Sequence, residues 1–134
     1  MRDNVFGELP LAEKNLVLDR IRNEIKGRMM EDIVLLETQL ANQKKEVFTY
    51  HFDIGEFDMV VFDPQAATCA IYEIKHSTEA VEAQYRHLVD EEKCKKTEWH
   101  FGPITGKYVI YRGESCEVNG IHYLNVEEYL KGLA

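Results

Sequence analysis

Asp58, Glu73 and Lys75 are polar residues on stretches that otherwise read as buried β-strands. Asp58 lies in Gly55-Glu56-Phe57-Asp58-Met59-Val60-Val61-Phe62. Glu73 and Lys75 lie in Ala70-Ile71-Tyr72-Glu73-Ile74-Lys75-His76-Ser77. A buried carboxylate costs several kcal/mol unless something pairs with it. A divalent cation beside a phosphate is one such partner. Side chains two apart on a strand share a face, so Glu73 and Lys75 point the same way. Asp58 comes within reach if the two strands form a hairpin. Asp58 and Glu73 supply the hard oxygen ligands that suit Mg²⁺ or Mn²⁺, and the backbone carbonyl of Ile74 is a candidate third ligand. Lys75 is suited to steer or acidify a water, or to neutralise a phosphate. The chemistry this set points to is metal-assisted hydrolysis of a phosphodiester.

Two more residues are candidates for the site. Gln84 shares a helical face with Val81 and Leu88, which would turn it toward the sheet. Glu31 sits in a densely apolar helical stretch, between Val34 and Leu35 on the wheel, where it would hold a metal-bound water. The plainer alternatives are a same-face Glu73–Lys75 ion pair, an ordinary rim glutamine and a solvated helix glutamate.

The elements that must position these residues follow from the pattern. Residues 1–10 read as a lead-in broken by Gly7 and Pro10. Apolar residues at three- and four-residue steps (Leu18, Ile21, Ile25, Met29, then Ile33, Leu36, Leu40) predict helix from Leu11 to Gln43, with Gly27 a candidate break. Strands are predicted over Glu46–Phe52, Glu56–Phe62 and Ala67–Lys75, joined by short turns that favour antiparallel pairing. Ser77 or Thr78 is positioned to cap a helix running to about Lys93. A strand over Lys107–Arg112, a turn region between Gly113 and Gly120, a short strand over Ile121–Leu124 and a terminal helix over Val126–Leu133 complete the reading. The expected fold is α/β (α+β), a central mixed sheet flanked by helices, in one domain spanning residues 1–134.

The chain has 134 residues, 45% of them apolar and 30% charged, and a formal net charge of −8. That charge argues against tight nonspecific binding of nucleic acid by this domain alone, although a bound cation would invert the local field. No apolar run approaches a membrane span, so no membrane partner is expected. The N-terminus lacks a signal-peptide core. Cys69, Cys94 and Cys116 form no CxxC and read as reduced thiols, as expected of a cytoplasmic protein. The five histidines show no ligand spacing. Gly102-Pro103-Ile104-Thr105-Gly106-Lys107-Tyr108 differs from a phosphate loop in spacing and in its tyrosine, so no ATP site is expected here.

Asp58, then Glu73-x-Lys75 after a turn, then Gln84 on the following helix, resembles the PD-(D/E)xK nuclease superfamily. That resemblance implies a restriction-endonuclease-like core, ordered α-β-β-β-α-β, from about residue 28 to 112. Phe57 stands where the superfamily often has proline. A closer resemblance covers most of the chain. Gly27-Arg28-Met29-Met30-Glu31, Gly55-Glu56-Phe57-Asp58, Tyr72-Glu73-Ile74-Lys75-His76-Ser77, Gln84-Tyr85-Arg86-His87-Leu88 and Tyr111-Arg112-Gly113-Glu114 look like the C-terminal DUF4143 domain of predicted AAA+ family ATPases. This implies an ATPase module N-terminal to the domain in the full protein. It also implies site roles for Glu31, Asp58, Glu73, Lys75 and Gln84, with DNA or RNA as the substrate. A non-catalytic regulatory or docking domain of the ATPase is the alternative.

Overall fold

The computed structural model describes residues 11–133, with side chains from Lys26 onward. The lead-in expected over residues 1–10 and the side chains of Leu18, Ile21 and Ile25 lie outside the described residues. The elements in chain order are α1 (Leu11–Ala41), β1 (Glu46–His51), β2 (Glu56–Asp63) and β3 (Thr68–Ile74). A 3₁₀ turn (Glu82–Tyr85), α2 (Glu91–Phe101), β4 (Ile104–Tyr111), β5 (Cys116–Val118), β6 (Ile121–Asn125) and α3 (Val126–Gly132) follow. Among the described residues no helix is long and apolar enough to cross a membrane.

One six-stranded sheet runs in the order β1-β2-β3-β4-β6-β5. β1, β2 and β3 pair antiparallel, as their short connections require. β4 lies parallel to β3, and β6 parallel to β4, while β5 returns antiparallel to β6. The sheet is therefore mixed. Its two faces carry separate cores. On one, Val34 of α1 packs with Val47, Met59, Ile74 and Ile110, and α3 adds Val126, Tyr129 and Leu130. On the other, Phe57, Val60, Ile71, Val109 and Tyr123 pack beneath Tyr85, Leu88 and α2's Phe101. Helices thus cover both faces, and the central strands are buried on both sides, which explains their near-continuous apolar runs.

The structure corrects the expected helix between Ser77 and Lys93. Ser77 instead closes a tight turn, its Oγ accepting from Glu79 N–H at 3.1 Å. Val81 is extended (φ −129°, ψ 148°) and only a 3₁₀ turn follows. The regular helix starts after Asp90, whose side chain caps it by accepting from Lys93 N–H at 3.1 Å. The acids Glu91 and Glu92 then sit in its first turn, as the helix dipole favours. Ser77 and Asp90 are both good caps. The one that wins places Thr97, Cys94 and Phe101 against the sheet. Gly27 does not break α1, which is continuous. β5 was not foreseen, and β4 begins at Ile104 rather than Lys107.

Gly102 ends α2 with φ +84° and ψ −178°, and a Cβ there would lie 1.8 Å from the Ala67 carbonyl oxygen. Both the backbone region and the contact exclude a side chain. Gly102→Ala is therefore expected to cost about 3 kcal/mol or more, read as the shift in urea midpoint at unchanged slope. The same geometry explains the glycine-rich segment around residue 102. It joins a helix to a strand, the reverse of a phosphate loop's strand-to-helix order.

Candidate metal centre

The β2–β3 hairpin brings Asp58 and Glu73 together. The register pairs Met59 with Tyr72, and one step further along sets Asp58 across from Glu73. On its other edge β2 carries an irregularity. Tyr50 pairs with Phe57 but Phe48 pairs with Val60, so Asp58 and Met59 together oppose Thr49. This is a β-bulge, a feature that re-aims side chains. Thr49 Oγ1 donates to the Asp58 carbonyl at 3.0 Å and so satisfies the bulged backbone.

Where the strands part, side chains take over from the backbone ladder. Asp58 Oδ2 accepts from Ile74 N–H at 2.8 Å, and Glu73 Oε2 accepts from Asp58 N–H at 3.2 Å. Lys75 Nζ lies 3.7 Å from Asp58 Oδ2. The three residues predicted to converge do converge. Ile74 enters through its N–H as well as its position on the strand.

Two acids complete the cluster. Glu31 reaches in from α1, one turn before buried Val34. Glu56 stands at the start of β2. Carboxylate oxygens of Glu31, Glu56 and Asp58 all lie within 4.8 Å of one another. Glu56 was not singled out in the sequence, although its spacing of two from Asp58 on a strand was the available signal. Its Oε1 also lies 3.1 Å from His51 Nδ1 at the exposed rim.

The electrostatics follow from crowding. Glu73 is only 1% exposed. Burial, then its hydrogen bond to the Asp58 side chain, then the Asp58 charge, push its carboxyl up to about 9. The buried Glu73–Asp58 pair therefore favours keeping one proton between its carboxyls, with the charged form of Glu73 the one that burial opposes. Partial burial and the charges of Asp58 and Glu56 raise Glu31 to about 7. Four acids facing one lysine are oxygen-rich and short of positive charge. A hard divalent cation fits that donor set.

Gln84 is placed elsewhere than expected. It sits on the 3₁₀ turn, where its Oε1 accepts from Val81 N–H at 3.1 Å and its Nε2 donates to the Glu79 carbonyl at 2.9 Å. Its amide is committed to bracing the loop. His76 is also away from the cluster, on a groove lined by Met30, Ile33 and Arg112. No family model, no curated protein and no solved structure matches this chain.

Proposed function

We propose that the chain is a PD-(D/E)xK nuclease-like domain with a restriction-endonuclease-like core, which hydrolyses phosphodiester bonds of nucleic acid with Mg²⁺ or Mn²⁺. The full protein would carry an ATPase module as well. The observation that carries this reading is the Asp58 carboxylate, which meets Ile74 N–H, Glu73 and Lys75 while sharing a cluster with Glu31 and Glu56. Asp58 and Glu73 would hold the cation, and Glu31 and Glu56, whose carboxylates cluster with that of Asp58, would add further oxygen donors. When bound, such a cation draws charge off the scissile phosphate and acidifies a water. Lys75 holds a proton at Nζ beside the reacting phosphate, where it orients the nucleophile and offsets developing charge. Ile74 N–H and the Thr49-braced bulge fix Asp58 in place before the ion arrives, and Glu73 would give up its proton to join it.

The test is cleavage of a panel of single- and double-stranded DNA and RNA with Mg²⁺, Mn²⁺ or EDTA. Cleavage that needs the metal supports the reading, and product levels equal to the EDTA control would end it.

One observation favours the second reading, a regulatory or docking domain for the ATPase. Met29, Ile33, Leu36 and Leu40 form an exposed stripe along α1, each 47–56% accessible. Calorimetry separates the two readings. Absent Mn²⁺ binding with tight binding to the ATPase module would favour docking.

A further inference from the structure

The tip of the β1–β2 hairpin lies directly beside the acidic cluster, because Gly55 precedes Glu56. Gly55 has φ +85°, and the ring of His87 rests on it. A Cβ at position 55 would lie 2.7 Å from His87 Cε1 and 3.1 Å from Lys93 Nζ. Lys93, from the first turn of α2, reaches back to place its Nζ 2.7 Å from His87 Nδ1 and 5.7 Å from the centre of the Phe52 ring. An ammonium only donates, so Nδ1 accepts and the ring's own proton sits on Nε2. Burial and the neighbouring lysine charge keep His87 below its ordinary value, which favours that neutral form. Among the described residues no carboxylate lies within 4 Å of Lys93 Nζ. Asp90, three residues earlier, uses its Oδ1 to cap Lys93 N–H.

A half-buried cation therefore stands at Gly55, the residue before Glu56, and is held by a neutral ring. A nucleic-acid strand approaching an acidic cluster is repelled unless fixed cations offset its charge. Lysine is a compact point charge well suited to a phosphate. We infer that Lys93 contacts a phosphate of the substrate strand next to the one that is cut, with His87 as the residue that positions it. This rests on the nuclease reading for the identity of the strand.

The experiment is fluorescence anisotropy with a labelled single-stranded oligonucleotide in Ca²⁺, from about 50 to 200 mM salt. Calorimetry with Mn²⁺ and a thermal melt accompany each variant. Lys93→Gln is expected to bind the oligonucleotide about tenfold more weakly, with a salt slope shallower by about 0.7, the loss of one phosphate contact. Its Mn²⁺ affinity and melting should match wild type. Lys93→Arg should retain most of the binding. His87→Gln, whose carbonyl still accepts from Lys93, should stay close to wild type, whereas His87→Leu should fall with Lys93→Gln. Unchanged affinity in Lys93→Gln, or weaker binding with an unchanged salt slope, overturns the inference and leaves the nuclease reading intact. A wild-type protein that binds neither Mn²⁺ nor the oligonucleotide overturns both.

Discussion

Asp58→Asn is expected to lower metal-dependent cleavage by about 10³-fold or more, close to 4 kcal/mol of transition-state stabilisation, and to remove Mn²⁺ binding in calorimetry. Asparagine is the right first variant because its carbonyl can still accept from Ile74 N–H, a bond of 2.8 Å in the native site. Asp58→Ala would lose that bond, leave a buried N–H unpaired and cost about 1–3 kcal/mol of stability, which confuses folding with function. Lys75→Ala should behave differently. It removes a charge 3.7 Å from Asp58 but no oxygen ligand. Mn²⁺ binding should persist or tighten, while cleavage falls about 10²-fold or more. Cleavage that survives both Asp58→Asn and Lys75→Ala would place the chemistry elsewhere.

Glu73→Gln is expected to stabilise the metal-free protein above pH 7. The Glu73 carboxyl titrates near 9 in the fold against about 4.5 in the unfolded chain. Between those values the folded state holds the extra proton, so stability falls as pH rises through the window. The penalty is absent below about pH 4.5 and complete above about pH 9. At pH 8 it amounts to about 2 kcal/mol, less than the full displacement implies, because water entry and local relaxation offset part of the buried charge. Glutamine is neutral throughout, and its amide can accept from Asp58 N–H while donating to the Asp58 carboxylate. The variant should melt about 6 °C higher than wild type at pH 8 and no higher at pH 4.5. Mn²⁺ should reverse the order, stabilising wild type at pH 8 by supplying the charge that Glu73 faces, and leaving Glu73→Gln nearly unchanged. Parallel stability curves for the two proteins from pH 4.5 to 9 would show that Glu73 is not held protonated.

The legible part of the site was the part set by short-range rules. A hairpin with a short turn fixes which residues face each other, and Asp58, Glu73 and Lys75 are separated by one such turn. Glu31 was legible because the acid interrupts a helix stretch that is apolar nearly all round. Glu56 is not fixed by that turn, since it joins the cluster along its own strand, two residues from Asp58, rather than across the hairpin. The β-bulge escaped because nothing in the types of Asp58 and Met59 announces an extra residue; it appears only as a change of register against β1.

The loop after β3 shows a different limit. Ser77 and Asp90 each have capping chemistry, and sequence alone ranks them equally. Tertiary contacts decide, since Tyr123 Oη donates to the Val81 carbonyl at 3.1 Å and Asn119 Nδ2 donates to Tyr85 Oη at 3.1 Å, pinning the segment in a turn. That displaced Gln84 from its expected face. The β5–β6 hairpin was within reach. Asn119 and Gly120, both at positive φ, form the two-residue loop between Val118 and Ile121, and an Asn-Gly pair is the strongest short signal for such a turn.

An anomalous-difference map from a Mn²⁺-soaked crystal bears most directly on the metal centre. A peak about 2 Å from an Asp58 carboxylate oxygen, shared with Glu73 and flanked by Glu31 and Glu56, is the result expected. A map with no peak at Asp58, from a crystal soaked above pH 8 where Glu73 can give up its proton, would contradict it.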